Sequence, residues 1–274
     1  MAFSNFNGKT VIITGASAGV GAACARAFAK QGAKLVIAAR GEEALEKIAA
    51  ELREQTEVLS MAMDVADAEA CERLVQKSIE TFGAVHVLVN NAGVHRRGEV
   101  ISRSAADLMA MVDINLRAPL QLTAEVLPAM KEQGEGAIVM VGSLAGRAPL
   151  QGAATYAGTK AGLRAFSYAL ADEVRDDNIA VGVVSPGPID TGFIMDEIDA
   201  VEDIVYSQPM SSAEQVADAV LSLARGEALE ISMPAASGFL TTLSYLFPRL
   251  RRVSRPLLYK IGRKNKEKYR VRGV

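Results

Sequence analysis

The sequence predicts an α/β protein built on a parallel sheet with helices on both faces. Three observations carry that prediction. Short apolar runs of strand length alternate with amphipathic stretches of helix length along most of the chain. The first run passes through a glycine-rich turn directly into a helical pattern, KTVIIT, GASAGVG, AACARAFAKQG. The run VHVLVNNAG (85–93) is continuously apolar up to its polar turn, as suits a strand covered on both faces. The 274 residues, half of them apolar, contain no Pro- or Gly-rich linker, so one large domain is expected.

Taken in order, the first turn places Gly15, Gly19 and Gly21 where a strand hands over to a helix. There the lack of a Cβ allows a tight turn and a close approach to a pyrophosphate, and helix N-terminal amides face the phosphates. Ser17 adds a hydroxyl to that turn. The second strand, AKLVIAA, ends at Arg40, roughly twenty residues beyond the turn. An acidic residue there suits the ribose hydroxyls of NAD, whereas an arginine suits the 2′-phosphate of NADP. Glu42 and Glu43 offer Arg40 an alternative partner on the surface. A helix over 42–54 leads to the strand EVLSMAMDV, whose Asp64 and Val65 are placed to meet an adenine. Asp64 also fits the N-cap of the following helix, 67–82. Asn90, Asn91 and Gly93 close the fourth strand, and AIVMV (137–141) delivers Ser143 at the end of the fifth. Tyr156 and Lys160 are four apart, hence on one helix face. A free phenol titrates at about 10, and a nearby cation is expected to lower that by roughly 1–3 units, making Tyr156 a usable acid or base. Asn115 sits among apolar helix positions, where it reads equally well as a kink residue. A helix over 213–225 and the strand LEISM (229–233) follow.

In this order TGASAGVG (14–21), NNAG (90–93), Asn115, Ser143 and YAGTK (156–160), with PGPIDT (186–191) after them, resemble the short-chain dehydrogenase/reductase family. The resemblance covers about residues 7–234, which it marks as a Rossmann-type dehydrogenase/reductase domain. It implies a seven-stranded parallel sheet in the order 3-2-1-4-5-6-7. It also implies roles. Tyr156 donates a proton to a carbonyl oxygen as hydride arrives from a nicotinamide, and Lys160 lowers its pKa and holds the nicotinamide ribose. Ser143 positions the carbonyl, and Asn115 holds a water that links Lys160 to solvent. The cofactor would lie against Gly15, Ser17, Gly19, Val20, Gly21, Arg40, Asp64, Val65, Asn91, Ala92, Gly93, Pro186, Gly187, Ile189 and Thr191, with Tyr156 and Lys160. NADP(H) is the expected cofactor and a homo-oligomer the expected assembly.

The loops after the fourth, fifth and sixth strands carry substrate recognition in that family. Here Leu144, Leu150, Phe193, Ile194 and Met195 fit an apolar pocket wall, while Arg96, Arg97 and Arg147 fit either an anionic head or a solvated rim. His86 and His95 show no metal-like or triad-like spacing and read as structural. Cys24 and Cys71 read as core residues of a reducing compartment; no metal is expected. The opening MAFSNFNGKT lacks a basic segment and a long apolar run, and the expected location is cytoplasmic.

Residues 235–274 form a basic amphipathic extension. From Arg249 onward there are eleven Lys or Arg against the single acid Glu267, a local charge of +10, while the other 248 residues carry −12. Pro248 and Pro256 are expected to break it into short helices. Three readings fit: docking on an anionic membrane, at the inner face; a subunit-interface or lid element; and a solvated, disordered tail. Nucleic-acid binding lacks a recognition fold. Together these expectations describe an NADP(H)-dependent oxidoreductase interconverting a ketone and a secondary alcohol on a hydrophobic, 3-keto or lipid-like substrate. The alternatives are a soluble carbonyl or steroid-type reductase with a structural tail, and an NADP-binding sensor.

Overall fold

The structure, a computed structural model, describes residues 3–272, so Gly273 and Val274 of the basic segment lie outside the described residues. Its strands are β1 (Thr10–Thr14), β2 (Lys34–Ala39), β3 (Val58–Ala62), β4 (Val87–Asn90), β5 (Gly136–Val141), β6 (Ile179–Pro186) and β7 (Glu230–Met233). They form one sheet in the order β3-β2-β1-β4-β5-β6-β7. Every pairing is parallel, as expected when each strand is followed by a crossover.

The helices are α1 (Gly19–Ala29), α2 (Glu42–Arg53), α3 (Ala68–Phe82), α4 (Ala105–Val112), α5 (Ala118–Gln133), α6 (Ala154–Glu173), the short α7 (Gly192–Met195), α8 (Ala213–Ala224), α9 (Ala235–Leu246) and α10 (Pro248–Arg272). Two cores result, one on each face of the sheet. Val11 and Ile13 of β1 join the core with α1, α2 and α8, and Ile12 between them joins the core with α3, α5 and α6. This period-two division buries the central strands on both sides, which accounts for their unbroken apolar runs. Strand order reverses between β1 and β4, so the crevice at their carboxyl ends is open to a ligand. The N-cap of α3 is Asp67, whose carboxylate accepts from Glu69 and Ala70. Asp64 instead caps the tight turn before it, accepting from the Ala66 amide at 2.9 Å.

The C-terminal segment departs from expectation. The chain breaks once, at Phe247, and α10 then runs 25 residues straight through Pro256. Pro248 occupies the first helical position, where its missing N–H costs nothing. Pro256 lies on the exposed side, and the helix is held around it by docking onto residues 199–206. Gly262 makes that docking close: a Cβ there would collide with the Asp203 carbonyl oxygen. The buried Lys266 ammonium donates to the Val201 carbonyl at 2.7 Å and lies 3.4 Å from the Asp203 carboxylate. Arg263 pairs with Asp203, Arg270 with Asp199, and the Tyr259 hydroxyl donates to Glu202 at 3.1 Å. The inner side of the basic helix is thus clasped by the acidic segment before it.

Candidate active site

At the carboxyl ends of β1 and β4, Thr14 forms the joint. Its hydroxyl accepts from the backbone amides of Asn91 at 3.1 Å and Ala92 at 3.0 Å. The Asn91 side chain donates back to the Thr14 carbonyl at 2.8 Å and the Gly15 carbonyl at 3.1 Å. Gly15 has φ +67°, and a Cβ on Gly21 would collide with the Gly15 carbonyl, so both positions demand glycine. The turn therefore closes against β4 with the N-terminus of α1 facing the crevice. Thr14 belongs to the quoted turn motif, but its bridging role depends on a strand 75 residues away and was not assigned from sequence.

The helix α6 carries the second part. Lys160 is buried, and its ammonium donates to the Val141 carbonyl at the end of β5, at 2.8 Å. Asn115 is buried in a π-helical turn (Asp113–Arg117) between α4 and α5. Its amide accepts from the Val94 N–H and donates to the Val94 carbonyl, both at 2.8 Å. It thus occupies a helix irregularity and fixes the strand-end loop at once, a pairing of roles common for π turns near functional sites. A Cβ placed on Gly93 would lie 3.3 Å from the Asn115 amide oxygen and 3.6 Å from the Lys160 ammonium, which puts the three residues together. Ser143 caps the short 3₁₀ turn after β5, its hydroxyl accepting from the Ala145 amide at 3.1 Å, and it lies close enough to Tyr156 to pull the phenol's pKa down.

The electrostatics correct one expectation. Burial is the largest influence on Tyr156 and holds its phenol above the ordinary value of 10. Ser143 and Arg97 pull it down without overcoming burial. The Lys160 ammonium sits 5.9 Å from the Tyr156 ring centroid, turned to the Val141 carbonyl, and burial lowers its own pKa to about 8. At neutral pH the arrangement is a protonated phenol beside an ammonium, suited to giving a proton rather than taking one.

One cavity of about 850 Å³ gathers these groups. Gly15, Gly19, Val20, Asn91, Ala92, Gly93, Ser143, Tyr156, Lys160, Pro186, Gly187, Ile189 and Thr191 line it. Ser17, Gly21, Arg40, Asp64, Val65 and Asn115 do not, although Gly21 and Asn115 support residues that do. Arg40 is exposed at the end of β2 and forms no ion pair with Glu42 or Glu43. The glycine turn, the α1 N-terminus and the Pro186–Thr191 loop form a cradle that fits a dinucleotide.

Of the apolar wall predicted, Leu144, Leu150, Phe193 and Ile194 line the cavity, while Met195 packs away from it beside Val201 and Tyr206. Two of the three predicted arginines face inward partners. Arg97 bonds Glu197, the Phe193 carbonyl and His95, and Arg147 is paired with Glu230 and bonds the Gly238 carbonyl and Thr242. Arg96 is exposed. His86 accepts from the Thr10 amide at 3.0 Å, a structural role. His95, read as structural, instead lines the cavity and stacks on Tyr156 with centroids 4.2 Å apart. Burial and the flanking Arg97 and Arg103 lower its pKa to about 3, so it is neutral. A guanidinium only donates, so His95 Nδ1 is the acceptor and its proton sits on Nε2. Arg251 also lines the cavity, with no ion-pair partner among the described residues, and was not singled out in the sequence.

Comparison with known proteins agrees with this geometry. The short chain dehydrogenase family model matches residues 9–202. The chain is 34% identical over 232 residues to the 3-oxoacyl-[acyl-carrier-protein] reductase FabG of Escherichia coli, covering 83% of this chain and 94% of that one. It is 32% identical over 250 residues to the dehydrogenase/reductase SDR family member 7B of Bos taurus, covering 85% and 77%. Against the NADP-dependent 3-hydroxy acid dehydrogenase of Schizosaccharomyces pombe it is 34% identical over 239 residues, covering 84% and 92%. The crystal structure of levodione reductase superposes with a TM-score of 0.76 at 27% identity, covering 83% of this chain and 96% of that one. With its parallel sheet, its glycine turn and its matched family model, the chain belongs to the short-chain dehydrogenase family and is an oxidoreductase.

Proposed function

We propose that the protein is an NADP(H)-dependent reductase or dehydrogenase interconverting a ketone and a secondary alcohol on a hydrophobic, lipid-like 3-keto substrate. The observation that carries the reading is the meeting of Ser143, Tyr156 and Lys160 with the glycine turn in one cavity. NADPH, when bound, supplies the hydride. Tyr156 gives its phenolic proton to the carbonyl oxygen, and Ser143 donates a hydrogen bond to the same oxygen. Lys160 holds a positive charge beside them. Asn115 fixes the loop bearing Gly93 and Val94, and Thr14 fixes the loop bearing Asn91 and Ala92. Arg40, exposed and without an acidic partner among the described residues, favours the 2′-phosphate of NADP. The names of two relatives, a 3-oxoacyl reductase and an NADP-dependent 3-hydroxy acid dehydrogenase, support the 3-keto class and the cofactor.

The rest of the lining supports an apolar substrate: Ala148, Pro149, Leu150, Ile204, Leu243 and Leu258 outnumber the charged groups there. A homo-oligomer is part of the proposal, supported by the apolar Val100 and Ile101, in the 3₁₀ turn before α4, and Met109 of α4, all left exposed, with Ile101 at 94%. So is a cytoplasmic location with peripheral membrane contact; among the described residues no helix is long and apolar enough to cross a membrane. The docked inner side of α10 favours, as a second reading, a soluble carbonyl or steroid-type reductase whose tail only completes the pocket.

Tyr156→Phe tests the assignment. Hydride transfer from NADPH to a 3-keto substrate is expected to fall by about 10²–10⁴-fold while NADPH binding survives. Unchanged turnover would refute Tyr156 as the acid. Tight NADPH binding by the wild type with no oxidation by any ketone would instead make it a nucleotide sensor.

A further inference from the structure

The outer side of the C-terminal hairpin is as distinctive as its inner side. Nine of the fifteen large hydrophobic side chains exposed among the described residues fall between Phe239 and Ile261. On α10 the residues Leu250, Val253, Leu257 and Ile261 follow a spacing of three, four and four, which places them in one stripe. They are 51, 78, 61 and 40% exposed. The helix α9 contains no charged residue, and the corner joining it to α10 presents Tyr245, Leu246 and Phe247. Leu240 and Leu250 are both exposed and part of the cavity lining, so the apolar surface runs into the mouth of the site.

The charges divide in the same way. Arg263, Lys266 and Arg270 face the acidic clasp, and Arg255 bonds Gln151 and Tyr259. Arg249, Arg252, Lys260, Lys264 and Lys268 are exposed and form no ion pair among the described residues. By helical spacing Arg249, Lys260, Lys264 and Lys268 lie beside or within the apolar stripe, whereas Arg252 lies well to one side of it.

We propose that this outer face of α9 and α10 docks on an anionic lipid bilayer, with the stripe and the 245–247 corner entering the acyl boundary and Arg249, Lys260, Lys264 and Lys268 meeting headgroups. The occupant follows from the charge. A second copy packed on the same face would bring the cations of both chains together around a shared apolar seam, a like-charge juxtaposition that opposes the pairing. Anionic headgroups around an apolar interior complement the pattern instead. Docking in this pose sets the cavity mouth, rimmed by Leu240 and Leu250, at the bilayer surface. A chain-bearing ketone then passes from lipid to Tyr156 without crossing water. This last step rests on the reductase reading, whereas the docking does not.

The test is flotation of the full-length protein with phosphatidylcholine vesicles, with and without phosphatidylglycerol. The wild type is expected to float with the anionic vesicles and to be released by high salt. Val253→Ser/Leu257→Ser changes two exposed side chains outside the cavity lining and is expected to weaken binding at least about tenfold. Arg249→Glu/Lys260→Glu/Lys264→Glu is expected to weaken it about a hundredfold, on the order of fivefold for each cation. Both variants should melt like the wild type and reduce a short water-soluble ketone at the wild-type rate. Wild-type protein that stays in solution with anionic vesicles overturns the docking. So does a Val253→Ser/Leu257→Ser variant that dissociates by light scattering, which assigns the face to a contact between copies. Flotation without turnover of any ketone leaves the docking standing and removes the reductase reading. Turnover without flotation does the reverse.

Discussion

Glu230→Gln is the substitution with the largest effect expected outside the catalytic groups. The Glu230 side chain is 7% exposed and sits between two guanidiniums. Arg147 pairs with it, Arg164 donates at 2.9 and 3.1 Å, and the Tyr168 and Ser185 hydroxyls donate at 2.8 and 2.9 Å. Burial works to raise its pKa, but the four donors together hold it at about 2, against 4.5 for an ordinary glutamate. That gap corresponds to roughly 3 kcal/mol of folding stability at neutral pH. Because the folded-state value is depressed, the contribution is complete above about pH 4.5, declines as the pH falls, and is gone near about pH 2. Glutamine removes the charge and leaves both arginines partly buried, a loss that falls within the range for breaking a buried pair. The variant should therefore melt roughly 6–12 °C lower at neutral pH. Urea unfolding followed by circular dichroism between about pH 7 and about pH 3 should show the difference from wild type narrowing on acidification. Arg147 lies four residues beyond Ser143, so loss of its partner should also lower kcat on a 3-keto substrate. Equal stability at neutral pH, or a difference that persists unchanged in acid, would refute the argument.

Further expectations follow from the same geometry. The rate of NADPH-dependent reduction should be flat through neutral pH and fall above about 8 as buried Lys160 loses its proton, since Tyr156 stays a phenol well beyond that point; a profile that rises through pH 8 would contradict this order of titration. Arg40→Ala should raise KM for NADPH about tenfold or more with little change for NADH, because one charge-assisted phosphate contact is lost; equal effects on both cofactors would remove Arg40 from the 2′-phosphate site. Gly262→Ala puts a methyl into the Asp203 carbonyl, so limited proteolysis should cut α10 free faster than in wild type while NADPH binding is retained. His95→Ala removes the ring stacked on Tyr156 and should lower kcat more than it raises KM; an unchanged kcat would return His95 to a structural role.

Much of this molecule was legible in the sequence because its signals are local. The glycine turn, the apolar strands and the four-residue step from Tyr156 to Lys160 are each set within one element, and the seven-strand order came with the family resemblance those motifs carry. What escaped depends on distance. Nothing near Arg147 announces Glu230, which lies on β7, so the arginine read as either an anion site or a solvated rim. Arg97 is likewise held by Glu197, one hundred residues on. The direction of the Tyr156 pKa depended on burial outweighing a cation, and burial is a property of the assembled core. Pro256 was read as a breaker because the local cost is real, but the clasp on residues 199–206 supplies the compensation.

The cavity around Tyr156 draws its lining from two parts of the chain. The nucleotide cradle and Tyr156 come from residues 15–191, whereas the remaining lining is drawn largely from 192–208 and 237–258. A change confined to 237–258 therefore reshapes what the cavity admits without touching a residue of the cradle or of α6.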